Sequence, residues 1–163
     1  MRKAVSVMMA VFMVVFFSSV VFAGSCTKAD IVAAVNEISA MLEKEGKTGL
    51  AKIPGYRFAG DNYVYVGDMD CTIIAHGFMP HLVGKNIIGI KDDTGFKFMA
   101  KLLEGVKSSQ ATKNGKTYYN GETWIKYRWP SPKDKTKFQN KLVYAKGCLM
   151  DNENVFVTAG MYE

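Results

Sequence analysis

From Asp30 the apolar residues Ile31, Val35, Ile38 and Leu42 step by four, three and four, with Ala34 and Met41 beside them, which is one stripe of an amphipathic helix. Thr27 and Asp30 have the side chains to cap its start, and Gly46 offers the stop, after Glu43, Lys44 and Glu45 have ended the stripe. Gly49, Pro54 and Gly55 then predict a loop. Two β-rich runs follow, Tyr63-Val64-Tyr65-Val66 and Thr72-Ile73-Ile74-Ala75, separated by a turn-sized stretch that suits an antiparallel hairpin. Asp92-Asp93-Thr94-Gly95 opens a second amphipathic helix carrying Phe96, Met99, Leu103 and Val106, which ends near Ser108. The polar stretch from Gln110 to Glu122 holds the turn dipeptides Asn114-Gly115 and Asn120-Gly121, so it reads as a loop or small excursion. Three strands come last, Thr123 to Trp129, Phe138 to Gly147 and Val155 to Met161.

That order predicts an α+β domain: a mainly antiparallel five-stranded sheet with a long N-terminal helix and a second helix between strands two and three. Strands do not alternate with helices, and neither a glycine-rich phosphate loop nor a serine nucleophile elbow occurs, which disfavours a doubly wound parallel sheet.

The start of the chain is of another kind. Met1, Arg2 and Lys3 are followed by an uncharged, apolar run from Ala4 to Ala23 that closes on Val21-Phe22-Ala23 before Gly24. This is the pattern of an export signal, and residues 1–23 are expected to be a cleaved signal peptide, leaving a single domain over 24–163 in a periplasmic or otherwise extracytoplasmic compartment. The run could also span a bilayer as an uncleaved anchor. A third form would begin at a lipidated Cys26, although Ala23-Gly24-Ser25-Cys26 lacks the usual large aliphatic residue three before the cysteine.

The 163 residues, 48% hydrophobic and 22% charged, are enough for one core and too few for two ordinary domains. Loss of Arg2 and Lys3 takes the net charge from +6 to +4, and the basic residues are scattered among acidic ones, so no nucleic-acid partner is expected. Lys133, Lys135, Lys137 and Lys141 cluster around Ser131-Pro132 and Asp134 in what reads as a solvated hairpin loop. Three cysteines, Cys26, Cys71 and Cys148, leave one unpaired in any disulfide scheme. With no Cys-x-x-Cys and only His76 and His81, neither a zinc site nor haem attachment is implied, and no cofactor is expected.

Several blocks carry more information than the pattern. Val64-Tyr65-Val66-Gly67-Asp68-Met69-Asp70 with Ile74-Ala75-His76, then Leu82-Val83-Gly84-Lys85-Asn86, Tyr127-Arg128-Trp129-Pro130, Lys141-Leu142-Val143-Tyr144-Ala145-Lys146 and Phe156-Val157-Thr158-Ala159-Gly160-Met161-Tyr162 together resemble the single Cache domain, over essentially the whole chain after residue 23. The resemblance implies a PAS-like extracytoplasmic sensor that binds a small molecule, typically a short carboxylate, between its sheet and the segment leading to the second helix. It also implies a membrane-bound receptor, kinase or transporter partner, since this chain carries no output domain of its own after Glu163. Family members usually have Gly where Cys71 stands and Pro where Gly77 stands, and the stretch from Lys113 to Gly121 is longer than usual. If the sheet has the implied PAS-like order, its first and last strands are neighbours, and Cys71 is expected to bond to Cys148.

The ligand-binding set that follows from the resemblance is His76, Tyr127, Arg128, Trp129, Tyr144 and Lys146. Alternation along the first strand of the final three places Ile125, Tyr127 and Trp129 on one face and Trp124, Lys126 and Arg128 on the other. A break at Pro130 would be needed to bring Arg128 to the same ligand, for whose carboxylate its planar fork is suited. On the next strand Leu142, Tyr144 and Lys146 share a face, a phenol beside an ammonium. His76 ends the second strand where the covering segment begins, and its imidazole could donate to an anion. An enzyme would have to use Asp68, Asp70 and His76, but aspartates in a turn are more economically explained as bonding their own backbone. No nucleophile, base and oxyanion donor can be assembled, and an enzyme is not expected. The remaining alternative is an envelope protein-interaction module without a small ligand, marked by an exposed apolar patch.

Overall fold

The computed structural model describes residues 25–131 and 133–163. The expected signal peptide lies outside the described residues. Helix α1 runs Lys28–Glu45, its N-terminus closed by a capping box in which the Thr27 hydroxyl accepts from the Asp30 amide and the Asp30 carboxylate accepts from the Thr27 amide. Gly46 ends it with φ 61°. The expected loop after it is a 3-10 segment, Gly46–Gly55, folded back on α1. Strand β1, Val64–Asp68, and β2, Ile73–His76, form the first hairpin. Helix α2 is shorter than the sequence predicts, Phe98–Val106, because Asp92 to Gly95 form a turn of their own in front of it. The polar excursion is a small hairpin, β3 (Gln110–Lys113) and β4 (Lys116–Tyr119), turning at Asn114-Gly115 with both residues at positive φ. Long strands β5 (Glu122–Pro130), β6 (Phe138–Met150) and β7 (Glu153–Tyr162) complete the chain, with Asp151 and Asn152 at positive φ in the β6–β7 turn.

The main sheet has the order β2-β1-β7-β6-β5, and every neighbouring pair in it is antiparallel. The last strand, β7, thus inserts between β1 and β6, as the PAS-like arrangement requires. Two cores lie on its two faces. Ile31, Val35, Ile38 and Leu42 of α1 pack on Val64, Val66, Tyr144, Val155 and Val157. On the other face Phe98, Met99, Leu102 and Val106 of α2 pack on Tyr65, Ile125, Tyr127, Val143 and Phe156. Gly67 is required at the close approach of this second layer, since a Cβ there would stand 2.4 Å from the Phe156 ring.

The two faces correct the expected disulfide. Cys71 sits at φ 64° in the β1–β2 turn, a conformation glycine adopts most readily, and its thiol is buried in the α2 layer within 4.0 Å of the Met99 carbonyl. Cys148 points from β6 into the α1 layer. Both are free thiols, with the sheet between them, and burial pushes them up to about 11 and about 12 respectively. Cys26, half-buried ahead of α1, is free as well.

Candidate functional site

The cavity that matters is on the α2 face, and strand register builds it. Tyr127 of β5, Lys141 of β6 and Tyr162 of β7 are opposite one another across three strands, so the odd-numbered residues Lys141, Val143 and Ala145 face α2. Tyr65 and His76 are cross-strand partners on β1 and β2, and their rings stack with centroids 5.1 Å apart and planes 4° apart. Trp129 continues the Tyr127 face, and Tyr127 in turn stacks on Phe98 at 3.9 Å. Met79, Leu82, Ile87 and Ile90, from the segment between β2 and α2, close the cavity with an apolar lid. About 20 Å³ remains for the centre of a water-sized molecule, room for roughly one water.

Lys141 dominates the chemistry. Only 3% exposed, its Nζ donates to the Tyr63 hydroxyl at 2.8 Å and stands 4.6 Å and 5.0 Å from the Tyr63 and Tyr162 ring centres. No carboxylate pairs with it among the described residues. Burial pushes its ammonium down to about 8. The expectation that Lys141 belongs to a solvated lysine loop is therefore corrected: β6 begins at Phe138, so this lysine lies inside the strand and under the lid.

The imidazole of His76 is fixed in one tautomer. Its Nδ1 accepts from the amides of Phe78 at 3.0 Å and Met79 at 2.8 Å, so the ring proton sits on Nε2 as a donor. Burial, then the Lys141 charge, then His81, push His76 down to about 4, which keeps it neutral. Burial likewise raises Tyr63 to about 12 and lifts Tyr65 and Tyr127 further, so all three phenols keep their protons. The closed space thus holds one unpaired cation and a set of neutral donors, an arrangement complementary to a small anion.

Of the six residues predicted for binding, the cavity gathers His76, Tyr127 and Trp129. The other three are elsewhere. Pro130 leaves the β5 alternation intact, so Arg128 faces away, pairing with Asp93 at 3.0 Å and donating to the Phe138 carbonyl at 3.1 Å. Its backbone amide bonds Asp92, whose carboxylate also accepts from the Thr94 hydroxyl and the Thr94 and Phe96 amides. Burial opposes the Asp92 charge, but these bonds outweigh it and hold the carboxyl at about 2. Arg128 and Asp92 therefore fasten the end of the lid to the sheet edge. Tyr144 and Lys146 face α1, where Tyr144 lies against Trp124 and Lys146 bonds Asn36 and Glu122. Missing from the prediction are Tyr63, Tyr65 and Lys141. The available signal for Lys141 was its alternation with Val143 and Ala145, a core-facing period interrupted by a charge.

Comparison with known proteins agrees with this architecture. The family described as Single Cache domain 2 matches residues 2–163. A Cache chemosensory domain solved for carboxylic acid recognition superposes with a TM-score of 0.64 at 25% identity, covering 81% of this chain and 90% of that one. The periplasmic sensor domain of a chemotaxis protein gives 0.65 at 19% identity over 80% and 91%. A methyl-accepting chemotaxis protein from Vibrio parahaemolyticus RIMD 2210633 gives 0.55 at 19% identity over 80% of each chain. No curated protein matches the sequence.

Proposed function

Because this chain belongs to the single Cache domain 2 family of sensor domains, and because its closed cavity surrounds one buried, carboxylate-free lysine, we propose that it senses a short monocarboxylate outside the cytoplasmic membrane. The observation that carries this reading is Lys141: an ammonium 3% exposed with only a phenol as hydrogen-bond partner is costly to bury until an anion joins it. His76 Nε2–H and the phenol of Tyr127 add neutral donors, while Met79, Leu82, Ile87 and Ile90 suit a short alkyl tail. An α-amino acid would bring an ammonium for which the described lining residues offer no carboxylate, and a dicarboxylate would bring a second charge without a second cation among them. The chemosensory domain solved with carboxylic acid recognition in view supports the same ligand class.

Size sets the affinity. A four-atom acid is limited to about 6 kcal/mol, a Kd no tighter than roughly 40 µM, and with room for about one water the apolar lid shifts outward to hold it. Acetate or propionate near one hundred times Kd should raise the melting temperature by about 5–10 °C. Lys141→Met should remove that shift; Arg128→Ala and Lys146→Ala should keep it. A shift lost in Lys146→Ala and retained in Lys141→Met would place the ligand on the α1 face and refute the assignment.

Residues 1–23 are the export signal in this reading, and the sensed state passes to a membrane-bound receptor, kinase or transporter. Intact-mass measurement of the exported protein should give residues 24–163. A full-length membrane-bound species would instead identify an anchor, and added lipid on Cys26 a lipoprotein.

A further inference from the structure

Outside the closed cavity is a larger, open one of about 490 Å³, into which Arg57, Asp61 and Lys133 project. A third, of about 180 Å³, adjoins it, sharing Phe78 and Tyr162 with it and carrying Lys135. These cations come from distant parts of the chain: Arg57 from the stretch before β1, and the two lysines from the β5–β6 loop, placed by the Pro130–Phe138 register. Among the described residues none of the three is in an ion pair. Among the described residues Arg57 donates only to the carbonyls of Pro54 and Tyr56, and Asp61 is the single carboxylate on the wall.

One aromatic layer separates this basic mouth from the buried lysine. Tyr63 lines both the open and the closed cavity. On its outer side it stacks on Phe78 with centroids 5.3 Å apart, and Phe78 is 44% exposed. On its inner side it lies 5.2 Å from the His76 ring and accepts from Lys141. Rotation of the Tyr63–Phe78 pair would therefore join the two spaces without unfolding any strand.

We propose that the outer cavity is a low-affinity collecting site for small anions, drawn in by Arg57, Lys133 and Lys135, and that the Tyr63–Phe78 pair is the door through which they reach Lys141. The inference rests on the carboxylate reading of the closed cavity. Charges at a mouth act on encounter, raising association rates by ten- to a thousandfold in a salt-sensitive way. A door acts on passage in both directions and leaves the equilibrium unchanged.

The test is stopped-flow fluorescence with propionate, using Trp124→Phe protein so that Trp129 in the cavity wall is the reporter. At about 0.01 M salt, where the screening length is about 30 Å, Lys133→Glu with Lys135→Glu should lower kon about tenfold and leave koff unchanged; at about 1 M salt the difference should vanish. Phe78→Ala should raise kon and koff by the same factor. Binding that still depends on Lys141 but whose kon ignores the charge reversal, or a reversal felt in koff, would overturn the collecting site while leaving the closed cavity's function standing. Absence of propionate binding in the reporter protein and in the wild type would overturn both.

Discussion

Replacing Lys141 by methionine should make the ligand-free protein more stable at pH 7 by about 3 kcal/mol while removing anion binding. The free energy follows from the ammonium's fall from 10.5 to about 8 on burial, which disfavours the charged form in the folded state by that amount. Methionine keeps the unbranched stem against Tyr63 and Tyr162 without the charge. The sign can be checked by pH. Between about 8 and 10.5 the unfolded chain holds the lysine proton and the folded one has released it, so stability should rise with pH in that window. Urea denaturation from pH 7 to 10 should show the rise in wild type and a flat profile from this site in Lys141→Met. Anion binding should move the other way, falling about tenfold for each pH step of one above 8, because only the ammonium holds a carboxylate. A Lys141→Met protein less stable than wild type would mean that the lysine is compensated in the ligand-free fold and is not poised for an anion.

Acid should destabilise the fold well before its carboxylates titrate. His76 is neutral when folded, with its titration pushed from 6.5 to about 4 by burial and then by Lys141 and His81. The unfolded chain takes up that proton as pH falls through 6.5, so the stability contributed by neutral His76 is complete above 6.5 and is lost progressively down to 4, about 3 kcal/mol in all. Protonating Nδ1 in place would also turn two accepted amide bonds into donor-donor contacts. His76→Asn offers a test, since its side-chain oxygen can accept the Phe78 and Met79 amides and does not titrate. Its stability should change little between pH 7 and 5, where wild type loses about 2 kcal/mol; equal acid sensitivity in both proteins would refute the role given to His76.

Local pattern made most of the architecture legible. The four-three-four stripe from Ile31 to Leu42 is α1, with Thr27 and Asp30 as its cap and Gly46 as its stop, because helix periodicity and capping depend on near neighbours. The β1–β2 hairpin was readable for the same reason, and so was the turn at Asn114-Gly115, although its flanking strands β3 and β4 were expected only as a loop or small excursion. The blocks around Tyr65, His76, Tyr127 and Trp129 also indicated the family, and three of the six expected binding residues do meet in one cavity.

The rest depended on which strand faces which. Alternation along β5 separates Tyr127 from Arg128, and alternation along β6 separates Tyr144 from Lys141, but neither says which set on one strand shares a face with which set on the other. The register decides it, setting Trp124 against Tyr144 and Tyr127 against Lys141. The same sheet separates Cys71 from Cys148, which no spacing of cysteines could reveal. Lys141 shows the limit most clearly. In sequence it is one lysine among four near a loop; its burial is supplied by Tyr63, 78 positions earlier, and by Tyr162 on another strand. The chain alone thus determined both α-helices in outline, the five strands of the main sheet and their alternating faces, all of which arise from short-range geometry. Only the tertiary structure decided which charge is withdrawn from water, because desolvation belongs to the assembled surroundings of a side chain and not to its neighbours in sequence.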